Sequence, residues 1–143
     1  MYLENTKHAF GKVVLTHAAV VSSTQETVSL WLNEGKNKGL HSTTFFKGRT
    51  EITVPAIHVK ELEQHNPQHV KIDCEGSEYD LLPHVLKWKG VQSIAVELHL
   101  TKKGWREKGA EALRQLRQAF PRHVKKGMVG ERNFWTLFVG CLT

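Results

Sequence analysis

Thirteen residues at positions 70–82, VKIDCEGSEYDLL, constrain this chain more than any other segment. Val70, Ile72 and Cys74 alternate on one face of a short strand, and Asp73 and Glu75 share the opposite face if the period of two extends that far. Gly76 permits a sharp reversal, and Ser77 with Asp80 three residues later is a weaker version of a capping box opening a helix. A strand that ends in acids, bends and enters a helix is the carboxyl end of a strand in an α/β sheet, where ligands bind.

The remaining pattern supports that class. Residues 12–21 (KVVLTHAAVV) read as a buried strand because the apolar run is continuous. Residues 27–33 alternate Val28, Leu30 and Leu32 against Ser29 and Trp31, and residues 50–57 form a second strand whose Pro55 places it at an edge or near its own end. Together these two read as a hairpin laid on a core sheet, with residues 34–44 as its polar loop. Residues 58–65 form a short helix, closed by the Asn66-Pro67 turn. Pro83 means that the helix after the bend either starts a turn late or is kinked. Residues 91–100 make a second core strand with Ile94, Val96, Leu98 and Leu100 on one face and Glu97 and His99 on the other. Trp105, Gly109, Ala112, Leu113, Leu116 and Phe120 trace the clearest helix, ended by Pro121. Residues 123–127 and 133–141 close the chain as an antiparallel hairpin. Periodicity alone thus yields an α/β fold with a hairpin.

At 143 residues, one domain is expected, and 40% hydrophobic with 24% charged residues is ordinary for a globular protein. No apolar run reaches the roughly 18 residues that span a bilayer, and no signal peptide is visible, so a cytoplasmic protein without membrane contact is expected. Cys74 and Cys141 sit in apolar strand contexts and read as small buried hydrophobes. The formal charge is +6, concentrated after residue 100. There Lys102, Lys103, Arg106, Lys108, Arg114 and Arg117 fall on the polar side of an amphipathic helix, a solvated face rather than a nucleic-acid footprint.

Chemistry is expected where Asp73, Glu75, Glu97 and His99 gather at the carboxyl ends of neighbouring strands. A carboxylate or histidine within reach of a hydroxyl can act as a base, and His99 is favoured by its near-neutral reference pKa, with Asp73 orienting it or the substrate. The same acids can instead cap a helix or bind loop amides, and Glu78 in the first helical turn is favourable there without any function. The four side chains offer a mixed oxygen–nitrogen set for a cation, but no HExxH-like pair accompanies them and nine histidines make chance proximity common, so no metal is expected. His41, Ser42, Lys47 and Arg49 form a third group, a loop able to close over the site and hold an acidic acceptor, or simply a solvated hairpin turn.

The run Lys71-Ile72-Asp73-Cys74-Glu75-Gly76-Ser77-Glu78 resembles the signature of FkbM-type methyltransferases, which transfer a methyl group from S-adenosylmethionine, typically to a hydroxyl oxygen. Residues 17–21 (HAAVV) resemble the family's third core strand, residues 41–56 its inserted hairpin, and Val96-Glu97-Leu98-His99 its fifth strand. The resemblance implies the C-terminal part of a doubly wound, Rossmann-like methyltransferase sheet, with an inserted β-hairpin and a terminal antiparallel hairpin. It also implies cofactor contacts at Ala18, Ala19 and Asp73, substrate contacts at His41, Ser42, Lys47 and Arg49, and a small-molecule or glycan hydroxyl as acceptor.

The family opens with a strand, a glycine-rich turn and a helix N-terminus that hold the cofactor's methionine end, which residues 1–11 do not resemble. Residues 1–143 are therefore expected to be a single, N-terminally truncated domain of this kind. Alone it would bind S-adenosylmethionine weakly, needing a partner chain or second copy for activity. Two other functions compete: a non-catalytic oligomeric binding module built on a methyltransferase remnant, and a basic nucleic-acid-binding domain, ranked last for want of any recognition motif.

Overall fold

The computed structural model describes residues 16–33, 42–43, 49–100, 105–129 and 135–141. They form a mixed α/β structure with two sheets. The smaller contains β1 (Ala19–Val21), β2 (Thr27–Leu32) and β3 (Thr50–His58) in the order β1-β3-β2, with β1 parallel and β2 antiparallel to β3. The larger contains β4 (His69–Ile72), β5 (Ser93–His99), β6 (Arg122–Val129) and β7 (Trp135–Cys141) in the order β4-β5-β7-β6.

In the larger sheet β4 and β5 run parallel, with Ile72 opposite Val96, so the two carboxyl ends lie side by side. Helix α1 (Glu78–Val85) supplies the crossover that parallel neighbours require. Strand β7 then pairs antiparallel with β5 and β6, giving the terminal hairpin expected from the alternation. Ile94, Val96 and Leu98 project from the inner face of β5 and are essentially inaccessible, as are Leu82 of α1 and Leu116 of α2 (Trp105–Ala119). Burying side chains of this size contributes roughly 1.5–3 kcal/mol each. On α2, Gly109, Ala112, Leu116 and the following Phe120 lie on the buried side, while Arg106, Lys108, Arg114 and Arg117 lie in solvent. No helix among the described residues is long and apolar enough to cross a membrane.

Several local expectations change. Of the buried strand read over residues 12–21, Ala19–Val21 is β1, residues 16–18 are not in a strand, and residues 12–15 lie outside the described residues. Pro55 sits within the central strand of its sheet, not at an edge. It is tolerated because β3 changes partners there. The Ala56 N–H bonds to Glu26 O at 2.8 Å, so the alternating Pro55 nitrogen faces the β1 side, where pairing begins only at Ala56. Pro83 neither delays α1 nor ends it, because the helix starts at Glu78 and runs to Val85. Ser77 does occupy the N-cap position, but its side chain makes no capping bond and instead pairs with the Thr43 hydroxyl. A capping box does occur one element earlier. His58 accepts from the Lys60 N–H, and Glu61 accepts from the His58 N–H, at the start of the 3-10 helix Val59–His65.

Candidate active site

The strand phase does not survive past Ile72. Glu75 adopts φ 49° and Gly76 φ 112°, so the chain turns out of β4 before the acids can share a strand face. A non-glycine residue at positive φ is held only when its surroundings fix it. Here Ser42 Oγ donates to the Glu75 carbonyl at 2.8 Å, and Ser77 N–H donates to Cys74 O at 3.3 Å. Ser42 reaches the bend because it forms an antiparallel bridge with Trp31 of β2. The smaller sheet therefore clamps the acid-bearing bend that follows β4.

Under the bend lies Glu78, which reads in the sequence as a favourable first-turn charge without a function. It is fully buried. Oε2 accepts from the Gly76 N–H at 2.7 Å, while Oε1 accepts from the His99 N–H at 2.8 Å and lies 3.1 Å from His99 Nδ1. One carboxylate thus ties the bend to the end of β5 and orients the imidazole. The signal was present in the sequence. Glu78, Leu81, Leu82 and Val85 follow helical spacing, and all four are buried, so Glu78 stands on the apolar stripe of α1. Tyr79 adds a second tie through its hydroxyl, which donates to His99 O at 2.6 Å; burial pushes this phenol well above its ordinary range.

With Nδ1 facing Glu78, His99 presents Nε2 to Glu75 Oε1 at 3.4 Å. Ligand atoms of Asp73, Glu97 and His99 all lie within 4.8 Å of one another. The three acids and the histidine expected to assemble therefore converge, although Asp73 and Glu75 arrive by a bend rather than by strand alternation. Burial opposes the charged imidazole, but the Glu78 hydrogen bond and the surrounding carboxylates outweigh it and raise the His99 pKa. Glu97 is also raised, first by burial and then by Asp73. Asp73 is exposed and pairs with Lys71 Nζ at 3.2 Å.

A cleft of about 180 Å³ opens between the end of β1 and the start of α1, walled by Val20, Val21, Ser22, Thr43, Ser77 and Asp80 among others. Ala18 and Ala19 precede this wall, Ala19 pairing with Ala56. Ser42 is buried on the bend, and Arg49 is half-buried ahead of β3. His41 and Lys47 lie outside the described residues.

Cys74 is a free thiol packed against the core, its pKa pushed up to about 11 by burial and less so by the neighbouring acids, against a backbone hydrogen bond that lowers it. Thiolate, not thiol, reacts with iodoacetamide. At pH 8, alkylation at Cys74 in the folded protein is expected to be roughly a hundredfold slower than for an exposed cysteine. Peptide mass spectrometry over time checks this, and labelling at the rate of an exposed thiol would contradict the assigned burial.

No curated protein and no solved structure gives a significant match to this sequence. The family model described as the methyltransferase FkbM domain matches residues 6–125, a span that includes the bend, both of its acids, Glu78 and the Glu97–His99 strand end. Enzymes of this family are methyltransferases that generally use S-adenosylmethionine. The parallel strand ends that bring these side chains together and the family match lie on the same residues, and the chain belongs to the FkbM methyltransferase domain family.

Proposed function

We propose that this chain, as a single domain over residues 1–143, takes part in S-adenosylmethionine-dependent methylation of a hydroxyl oxygen on a small molecule or glycan. The observation that carries the reading is the convergence of Asp73, Glu75, Glu97 and His99 at two adjacent parallel strand ends inside the family match. The neighbouring cleft suits a nucleoside in character, with Val20, Val21 and Leu81 as apolar wall and Ser22, Gln25 and Asp80 as polar groups for a sugar. When bound, S-adenosylmethionine supplies a methyl group on a cationic sulfur, which the acceptor oxygen displaces so that a C–O bond replaces the C–S bond and sulfur leaves as a neutral thioether.

The chain's own residues handle the proton and the alignment. Glu75 takes the proton of the acceptor hydroxyl. Its carboxylate stands on the bend, and its side chain is 22% exposed against 8% for His99. His99, which the reference pKa alone favours as the base, has Nδ1 engaged by Glu78 and Nε2 turned to Glu75, and so acts as the group that positions Glu75. Asp73 and Glu97 face the acceptor oxygen.

The architecture is read as part of a doubly wound methyltransferase sheet. Strands β1 and β4 each end a different sheet among the described residues, and a bare parallel edge is a strong pairing surface. A second copy or a partner chain completing the cofactor site follows from that reading. Titration calorimetry with S-adenosylhomocysteine and transfer of labelled methyl to polyols and glycans, with light scattering on the same samples, test it. Saturable binding and labelled ether are expected from an oligomer. Absence of both in monomer and oligomer alike would overturn the reading.

A further inference from the structure

The acids around His99 form an unusually concentrated negative site about a buried side chain. Asp73, Glu75, Glu78 and Glu97 all approach one imidazole, and Lys71, itself 70% exposed, pairs with Asp73. We propose that Asp73, Glu97 and His99 bind a divalent transition cation of the Mn²⁺ or Zn²⁺ class.

Three features of the geometry carry this. The donor set is one imidazole nitrogen and two carboxylate oxygens, a mixture suited to borderline ions rather than to Mg²⁺ or Ca²⁺, which prefer oxygen alone. The ligand atoms already lie within 4.8 Å of one another. Bonds of about 2.0–2.2 Å to one ion put ligands about 3–4 Å apart, so closure needs a contraction of roughly 1 Å. Asp73 is exposed and Glu97 half-buried, and rotation of their side chains supplies that movement.

The third feature lies behind the imidazole. A metal-binding histidine ordinarily donates its other ring N–H to a carboxylate or carbonyl, which fixes the tautomer and aims the free nitrogen. Here the fully buried Glu78 stands 3.1 Å from Nδ1 and is itself anchored by two backbone N–H groups. The imidazole cannot turn away without breaking that contact, so Nε2 is preset toward the site. Glu75, 3.4 Å from Nε2, stands at the rim; with Nε2 bound to the ion, the ion replaces the imidazole as the group that positions Glu75, which keeps its role as proton acceptor. In the methyl-transfer reading the ion would hold the acceptor oxygen; the binding itself needs only the geometry.

The full chain, freed of metal with chelator, is titrated with Mn²⁺ while electron paramagnetic resonance follows the free aquo ion. One saturable Mn²⁺ per chain is expected, displaced by Zn²⁺. Asp73→Asn and Glu97→Gln should each weaken binding at least tenfold, while Glu111→Gln on the solvent face of α2 should leave it unchanged. Asp73 is exposed, so its variant is expected to fold, as circular dichroism would verify. Absence of saturable binding, or wild-type affinity in both site variants, would overturn the proposal. Mn²⁺ binding without any methyl transfer would sink only the transfer reading, and chelator-insensitive transfer without Mn²⁺ binding would sink only the cation.

Discussion

Replacing Glu75 with glutamine is expected to lower kcat for methyl transfer by about 10²–10⁴-fold, the range of a lost general base. Glutamine keeps the length and shape of the side chain at φ 49°, so the bend changes little while the proton acceptor disappears. The backbone carbonyl that Ser42 holds at 2.8 Å is untouched. Affinity for S-adenosylhomocysteine should therefore remain within a few-fold of the parent, because the cleft walls lie on β1 and α1. The discriminating measurement is the split between kcat and cofactor affinity. Activity within about fivefold of the parent would move the base to Glu97, whose half-buried surroundings favour the proton-bound form.

The second large effect concerns folding. Glu78→Ala should destabilise the chain by about 3–5 kcal/mol, the range seen when one partner of a buried ionic hydrogen-bonded pair is removed. Alanine leaves the buried N–H groups of Gly76 and His99 without their acceptor and takes away the oxygen facing His99 Nδ1. Each orphaned buried donor costs about 1–3 kcal/mol, so the estimate does not require all three losses to add. Against a total stability of about 5–15 kcal/mol this is a large fraction, equivalent to a fall in Tm on the order of 10 °C. Thermal melts by circular dichroism or calorimetry measure it. A fall below about 3 °C would mean that solvent or another side chain satisfies these donors. Glu78→Gln, which retains one oxygen, should lie between the two.

Much of the local structure was legible because each element carries its own period. The spacing of Ala112, Leu116 and Phe120 located α2 to within a residue, and alternation located β2, β3 and β5 nearly as well. Strand β1 was overextended because an apolar run does not say where pairing stops, which for Ala19–Val21 is decided by a partner more than 30 residues away in β3. Of the two places read for Pro55, an edge or near its strand's end, the edge fails for a related reason. The proline's lost N–H is harmless where a strand exchanges neighbours, and a single segment does not display its neighbours.

The candidate site divides in the same way. Asp73, Glu75, Glu97 and His99 were visible as chemistry at strand ends, and their convergence depends on β4 and β5 lying parallel with Ile72 opposite Val96. Glu78 was read as a favourable first-turn charge, although its place on the Leu81, Leu82 and Val85 stripe marked it for burial. Ser42 was grouped with a substrate loop, whereas its hydroxyl holds the Glu75 carbonyl from 33 residues away.

By itself, then, the order of residues determined the acid-bearing bend, the helix that follows it, the terminal hairpin and the family. These depend on neighbours within a few positions, whose spacing the chain carries directly. Only the tertiary structure decided that a buried glutamate would anchor both the bend and the imidazole, and that a serine from the smaller sheet would clamp a left-handed glutamate. Those bonds join residues 21 and 33 positions apart, and they form because burial makes an unsatisfied polar group more costly than the ordering needed to pair it.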